Sequence, residues 1–316
     1  MNRALFLIVS SLALGLQIAE CIRYSEVFPH GEKAGDSLLP KGDNVNVTAN
    51  LRRPYNIFGI ERNKITIGTD GWVYLKAAGE ATVVQFLPFQ SDVDTAGAGY
   101  VSWRETNADS ITSVISMVTN SVFPDLAPVN ITSAVLIFWI GVGYYNKNSD
   151  KTNSFELALA TDGNKTFAIY VYANDKMQWT TGDRDGGEKG LGGDEARVGI
   201  IREDGSTFFI RGSNTPDVKK VHEASNTGLR GLWYFRVDTD MVITPDERRC
   251  MLGCDKNADC VNRTIGYSCA CKSGYNGEDA TVGSCLLAGV IGAAAPGWKT
   301  TNGGPLVYLL MARFLF

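Results

Sequence analysis

Six cysteines fall between Cys250 and Cys285 in the spacing C-x3-C-x5-C-x8-C-x-C-x13-C. Thiols at that density either close disulfides or hold zinc. Zinc sites want paired ligands such as C-x2-C, often with histidine, and neither is present, because His30 and His222 both lie upstream. Disulfides are therefore expected, and they imply an oxidising, extracellular setting. A segment this short cannot bury enough apolar surface to fold unaided and normally needs such staples. Six cysteines allow about fifteen pairings, and spacing alone does not choose among them.

Carboxylates supply the other candidate chemistry. Asp92-Val93-Asp94 is a D-x-D pair that could hold a divalent metal as in nucleotide-sugar transferases. Such an enzyme needs a nucleotide-binding α/β scaffold, and the chain has neither an alternating helix pattern nor a phosphate-cradling glycine loop. The favoured reading is structural: both carboxylates cap the turn after Phe89 and pair with Arg104. A Ser-His-Asp triad has only His30 and His222 to draw on, and neither sits in a nucleophile-elbow context. The glycine-rich stretch from Thr181 to Glu195 gathers acidic oxygens of the kind calcium prefers. It departs from the EF-hand rule, because Glu188 stands where the sharp turn demands glycine, so it is read as a solvated loop between strands.

The elements that must position these groups have the texture of strands. Lys64 to Leu75, Ala81 to Phe89, Gly99 to Trp103, Ala134 to Tyr144, Ser154 to Ala160, Thr166 to Tyr172, Arg197 to Ile201, Thr207 to Ile210 and Gly231 to Val237 are rich in β-branched and aromatic residues. Turn signals separate them at Thr69-Asp70-Gly71, Thr161-Asp162-Gly163-Asn164 and Glu203-Asp204-Gly205-Ser206. The pattern predicts a mainly β domain of antiparallel hairpins in a sandwich or barrel. Asn107 to Asn120 differs: Ile111, Val114, Ile115 and Val118 recur at helical spacing, which predicts a short amphipathic helix packed on the sheet.

At the N-terminus Arg3 precedes an apolar run from Ala4 to Leu16, and Ala19-Glu20-Cys21 offers a cleavage site. Residues 1–21 are expected to be a signal peptide, whose removal takes away the seventh cysteine and leaves an even number. Asn-x-Thr sequons at Asn46, Asn130, Asn164 and Asn262 mark candidate glycosylated loops. The formal net charge is -4, and the basic residues are dispersed, which argues against nucleic acid or an anionic membrane surface as partner. After Cys285 come small residues, a polar spacer and the apolar end Pro305 to Phe316, interrupted by Arg313. Three readings of residues 286–316 stay open: a glycosylphosphatidylinositol attachment signal, an edge strand or flap, and a truncated terminus.

Two resemblances add to these readings. The cysteine segment, closing with Cys269-Ala-Cys271-Lys-Ser-Gly274-Tyr275, resembles an epidermal-growth-factor-like (EGF-like) domain. That resemblance implies the pairs Cys250 with Cys260, Cys254 with Cys269, and Cys271 with Cys285. Calcium-binding members of that family carry acidic residues before the first cysteine and an Asn and an aromatic between the third and fourth. Asn262 and Tyr267 match the second half, while Arg248 and Arg249 displace Asp246 and Glu247 outward. Asp246, Glu247 and Asn262 are thus the candidate calcium ligands there, opposed by two guanidinium charges.

The strand sequences resemble the nidogen-like (NIDO) domain found in nidogens, alpha-tectorin and a membrane mucin. The matching pieces are Ile65 to Gly71, Leu87 to Thr95, Val101 to Glu105, Ala158 to Gly163 and Gly231 to Asp238. The resemblance implies a non-catalytic domain serving matrix assembly or cell-surface adhesion. The expected organisation is a signal peptide (1–21), an N-terminal extension (22–49), a NIDO-like β domain (50–240), an EGF-like domain (246–285) and the tail (286–316). The expected protein is a secreted or cell-surface, non-enzymatic matrix or adhesion glycoprotein whose partners are matrix or cell-surface proteins and glycans. It needs no cofactor unless calcium binds, and it meets a membrane only if the tail directs an anchor. The competing reading is a calcium-dependent carbohydrate-binding protein.

Overall fold

A computed structural model describes residues 28–126, 128–182, 186–246, 250, 253–277 and 285–287. The expected signal peptide 1–21, Glu247, Arg248, Arg249 and the tail beyond residue 287 lie outside the described residues, as do Asp183, Arg184 and Asp185 of the acidic loop.

The β-branched and aromatic runs build two six-stranded antiparallel sheets. The first has the order β1 (Ser37–Leu38), β6 (Tyr100–Thr106), β7 (Ser133–Tyr144), β8 (Asn148–Thr161), β9 (Thr166–Met177), β12 (Leu232–Arg236). The second has the order β11 (Thr207–Phe209), β10 (Arg197–Ile201), β5 (Val84–Gln90), β4 (Trp72–Lys76), β3 (Ile60–Gly68), β2 (Asn46–Ile57). Sequence neighbours pair as hairpins at the Asp-Gly turns.

Strand β7 shows how the sequence selects this packing. Successive side chains on a strand point to opposite faces, and β7 is apolar on both. Val135, Ile137 and Trp139 enter the core between the sheets, with Ile65, Ile67, Val73 and Phe86 opposite. Ala134, Leu136 and Phe138 face the other way, under helix α1 (Asp109–Val122). The helix covers them with Ile111, Val114, Ile115 and Val118, all buried. The fold is thus a β-sandwich with one helix on the outer face of its first sheet, and each large side chain enclosed in it contributes roughly 1.5–3 kcal/mol.

The segment 28–49 is part of this fold. Ser37 pairs with Trp103 and Leu38 with Ser102 of β6, Leu39 enters the core, and Asn46 begins β2. Strand β2 is an edge strand and accommodates Arg52-Arg53-Pro54 at a register shift between Asn50 and Tyr55, which is where a proline is tolerated in a sheet.

The cysteine segment forms two short hairpins, β13 (Ala258–Asn262) with β14 (Tyr267–Cys271) and β15 (Tyr275–Asn276) with β16 (Leu286–Leu287). Its disulfides join Cys250 to Cys260, Cys254 to Cys269, and Cys271 to Cys285. The tip of the first hairpin docks on the sandwich. Ile265 is 1% exposed within the main core, Ser225 and Tyr267 exchange main-chain bonds at 2.8 Å, and Arg211 Nη2 donates to the Arg263 carbonyl at 2.6 Å. Reducing the disulfides should therefore unfold the module and also destabilise the sandwich, by about 2 kcal/mol or more as Ile265 leaves its pocket. Urea denaturation of oxidised and reduced protein checks this. An unchanged midpoint for the sheet signal would show that the docking contributes nothing.

Candidate functional site

Three connections meet at one end of the second sheet: the loop 42–45 before β2, the turn Thr69-Asp70-Gly71 between β3 and β4, and the loop 91–95 after β5. Main-chain bonds knit them together. Thr69 N donates to the Val45 carbonyl (2.8 Å), Thr95 N to the Gly42 carbonyl (3.1 Å) and Ser91 N to the Asp70 carbonyl (3.1 Å). Gly71 is obligatory, since it has φ 69° and a Cβ there would lie 1.9 Å from the Phe89 carbonyl oxygen. The result is that oxygens of Asp43, Asp70 and Asp92 all lie within 4.8 Å of one another.

Such proximity is electrostatically unfavourable. Two unit charges at that separation repel by about 3 kcal/mol at an effective dielectric constant of about 20. Burial, then the charges of Asp92 and Asp43, push the Asp70 carboxyl up to about 7.

The two members of the D-x-D pair therefore part company. Asp94, 4% exposed, accepts from Ala96 N (2.8 Å) and from Lys147 N (2.9 Å). It thus caps its own turn and also holds the β7–β8 turn, where Asn146 and Lys147 both have positive φ. Asp92 turns to Asp43 and Asp70 instead. Neither pairs with Arg104, contrary to the sequence expectation: the Arg104 guanidinium binds Asp36 and lies over the Phe138 ring. The pairing of β1 with β6 brings Asp36 alongside Arg104, and nothing in the local sequence announces that two-residue strand. Replacing Asp94 by Ala should cost about 3 kcal/mol, the sum expected for two hydrogen bonds to a charged acceptor, measurable by chemical denaturation; a cost below about 1 kcal/mol would remove the capping role.

The acidic glycine-rich loop returns to the same place. Ala196 N donates to the Thr180 carbonyl and Thr181 Oγ1 to the Asp194 carbonyl, both at 2.7 Å. Gly182 presses on Asp92, where a Cβ would meet the Asp92 Cβ at 2.5 Å and its Oδ2 at 3.0 Å. A cavity of about 690 Å³ lies between these segments, lined by Asp70, Asp92, Asp194, Glu195, Trp72 and Arg197, among others. Arg197 is the one cation among its described lining residues. Two stretches that the sequence presents as separate, the loop after β5 and the loop 181–195, thus share one anionic cavity. Asp43 and Asp70 carried no sequence signal as site residues, since Asp70 reads only as part of a turn and Asp43 reaches the cluster through strand pairing.

The other sequence candidates stand apart. The sulfurs of Cys250, Cys254 and Cys269 lie within 4.8 Å of one another, but each is in a disulfide and offers no thiolate to a metal. Asn262 Oδ1 accepts from Arg211 Nη2 at 2.8 Å, so a guanidinium occupies the oxygen that calcium would need at the module entrance. Asp246 is half-buried, and Glu247 lies outside the described residues. Asn46, Asn130, Asn164 and Asn262 are all exposed.

Comparison with known proteins gives this architecture its relatives. The model of the nidogen-like domain matches residues 73–239, which carry Asp92, Asp94, Asp194 and Glu195. Nidogen of Drosophila melanogaster is 26% identical over 298 residues, 84% of this chain and 22% of that protein. Human alpha-tectorin is 28% identical over 218 residues, 64% of this chain and 10% of that protein. Mouse nidogen-2 is 27% identical over 242 residues, 68% of this chain and 17% of that protein. The chain spans less than a quarter of the length of these relatives, and no solved structure matches it. With more than half of its length, and most of both sheets, inside the matched segment, the chain belongs to the nidogen-like domain family.

Proposed function

We propose that this chain is a secreted, non-enzymatic glycoprotein of the extracellular matrix or of cell–matrix adhesion. In this reading residues 1–21 are a signal peptide, 22–49 an N-terminal extension whose residues 28–49 pack into the sandwich, 50–240 the nidogen-like domain and 246–285 an EGF-like module, with the sequons at Asn46, Asn130, Asn164 and Asn262 open to glycans. The observation that carries it is the nidogen-like match across the sandwich, joined directly to a three-disulfide module of the kind that secreted proteins use. The relatives named nidogen and alpha-tectorin support a matrix-protein partner. Full-length chain secreted from eukaryotic cells and immobilised should retain matrix proteins from an extract at physiological salt. Retention no better than by the heat-unfolded chain would overturn the proposal.

A second reading, calcium-dependent carbohydrate binding, draws on one observation. Trp72 lines the anionic cavity and stacks on Tyr74 with ring centroids 4.1 Å apart, an arrangement suited to a sugar face. Glycan-array binding that vanishes with a chelator would favour it.

A further inference from the structure

We propose that the carboxylates of Asp43, Asp70 and Asp92, at the wall of the cavity at the end of the second sheet, form a calcium site, with Glu195 on the wall of the same cavity. The acidic triad alone would not establish this, because carboxylates gather on many surfaces without an ion. The second observation is Glu195. It is 7% exposed, it lines the same cavity, and its Oε2 atom is buried without a hydrogen-bond partner. A buried carboxylate oxygen with no donor is costly unless a cation completes it. Gln90 Oε1 and Ser91 Oγ, two further oxygens of the cavity wall, are likewise buried and without partners.

Geometry and chemistry both select calcium. The triad oxygens lie within 4.8 Å of one another, the spread that oxygens at about 2.4 Å from a common centre can span. All the donors are oxygen, from carboxylate, amide and hydroxyl groups, with no histidine or free thiol among the described lining residues. That set suits a hard cation, and its irregular, many-oxygen character suits calcium better than the strict octahedron magnesium demands. The three ligands come from three separate segments, the loop before β2, the β3–β4 turn and the loop after β5, and Glu195 brings the end of the loop 181–195 to the same cavity. A cation on the triad would fix Asp92, against which Gly182 of that loop presses. This inference rests on the geometry of the sandwich and stands or falls independently of the matrix reading.

The test is calorimetric titration of calcium chloride into the chelator-treated, dialysed full chain, with thermal unfolding alongside. The expected result is one saturable site with an affinity on the order of 0.1–1 mM, as in extracellular calcium modules, and a rise in Tm. Asp92→Asn and Glu195→Gln should each weaken binding about tenfold or more, while Asp204→Asn, on the distant β10–β11 turn, should leave it unchanged. The near-isosteric Glu195→Gln keeps the test open should Asp92→Asn fold poorly. No heat and no Tm shift at 5 mM calcium, on the order of five times the weakest affinity expected, would overturn the proposal. So would binding that survives both site variants but is lost in Asp246→Asn, which would place the ion at the module entrance.

Discussion

Trp139→Ala should lower the unfolding free energy by about 3–5 kcal/mol, the range for deleting a fully buried large aromatic. Trp139 is fully buried at the centre of β7 and stacks on Phe155, with ring centroids 4.9 Å apart. Its indole also reaches across the sandwich, with Nε1 donating to the Thr69 carbonyl at 2.9 Å and the Gly68 carbonyl at 3.3 Å. Those carbonyls belong to the turn that presents Asp70, so the core of the first sheet holds an acidic group of the second. Trp139→Phe separates the two effects. It keeps most of the apolar contact and removes the indole donor to both carbonyls, at about 1–3 kcal/mol, and it should weaken calcium binding more than its loss of stability alone explains. Urea denaturation of the three proteins decides the matter. A cost below about 1 kcal/mol for Trp139→Ala would mean that the two sheets do not close on this residue.

Much of this architecture was legible in the sequence because its signals are local. Arg197 to Ile201 reads as a strand and is one to the residue. The helix expected over Asn107 to Asn120 lies at Asp109–Val122, with the four apolar residues at helical spacing turned to the sheet. Local signals also fail where local chemistry is unusual. The hairpin of β2 and β3 turns at Phe58-Gly59, both with positive φ. A two-residue turn of that kind is usually announced by Asn-Gly or Asp-Gly, whereas Phe58 is held there by burial, with Arg202 over its ring at 4.8 Å. Strand β2 was missed for that reason and because Arg52-Arg53-Pro54 interrupts its pattern. The acidic site lay further out of reach. Asp92 was visible only as half of a D-x-D pair, yet the two carboxylates point to different tasks, and Asp43 and Asp70 join Asp92 only once four strands are in register.

The stability of the metal-free protein should fall as pH rises from about 4 to about 8, and Asp70 should account for much of the fall. Its carboxyl titrates near 7 in the folded protein and at the ordinary value of 3.8 in the unfolded chain. Between those values the folded state keeps a proton that the unfolded state has released, so raising the pH favours unfolding. Below 3.8 the group is neutral in both states and contributes no difference. Above about 7 the full penalty applies, roughly 2–4 kcal/mol once screening at this partly accessible group is allowed for. Glu156 pulls the same way, because complete burial raises its carboxyl well above the ordinary range, so the trend in the wild type alone does not isolate Asp70. Asp70→Asn does. The variant should match the wild type near pH 4 and exceed it by that margin at pH 8 in chelator. Adding calcium at pH 8 should then narrow or reverse the gap, since the cation replaces the proton as partner of the wild-type carboxylate. Unfolding midpoints for the two proteins across that range give the answer. A constant difference between them would show that Asp70 titrates normally and that the three carboxylates are too well solvated to act on one another.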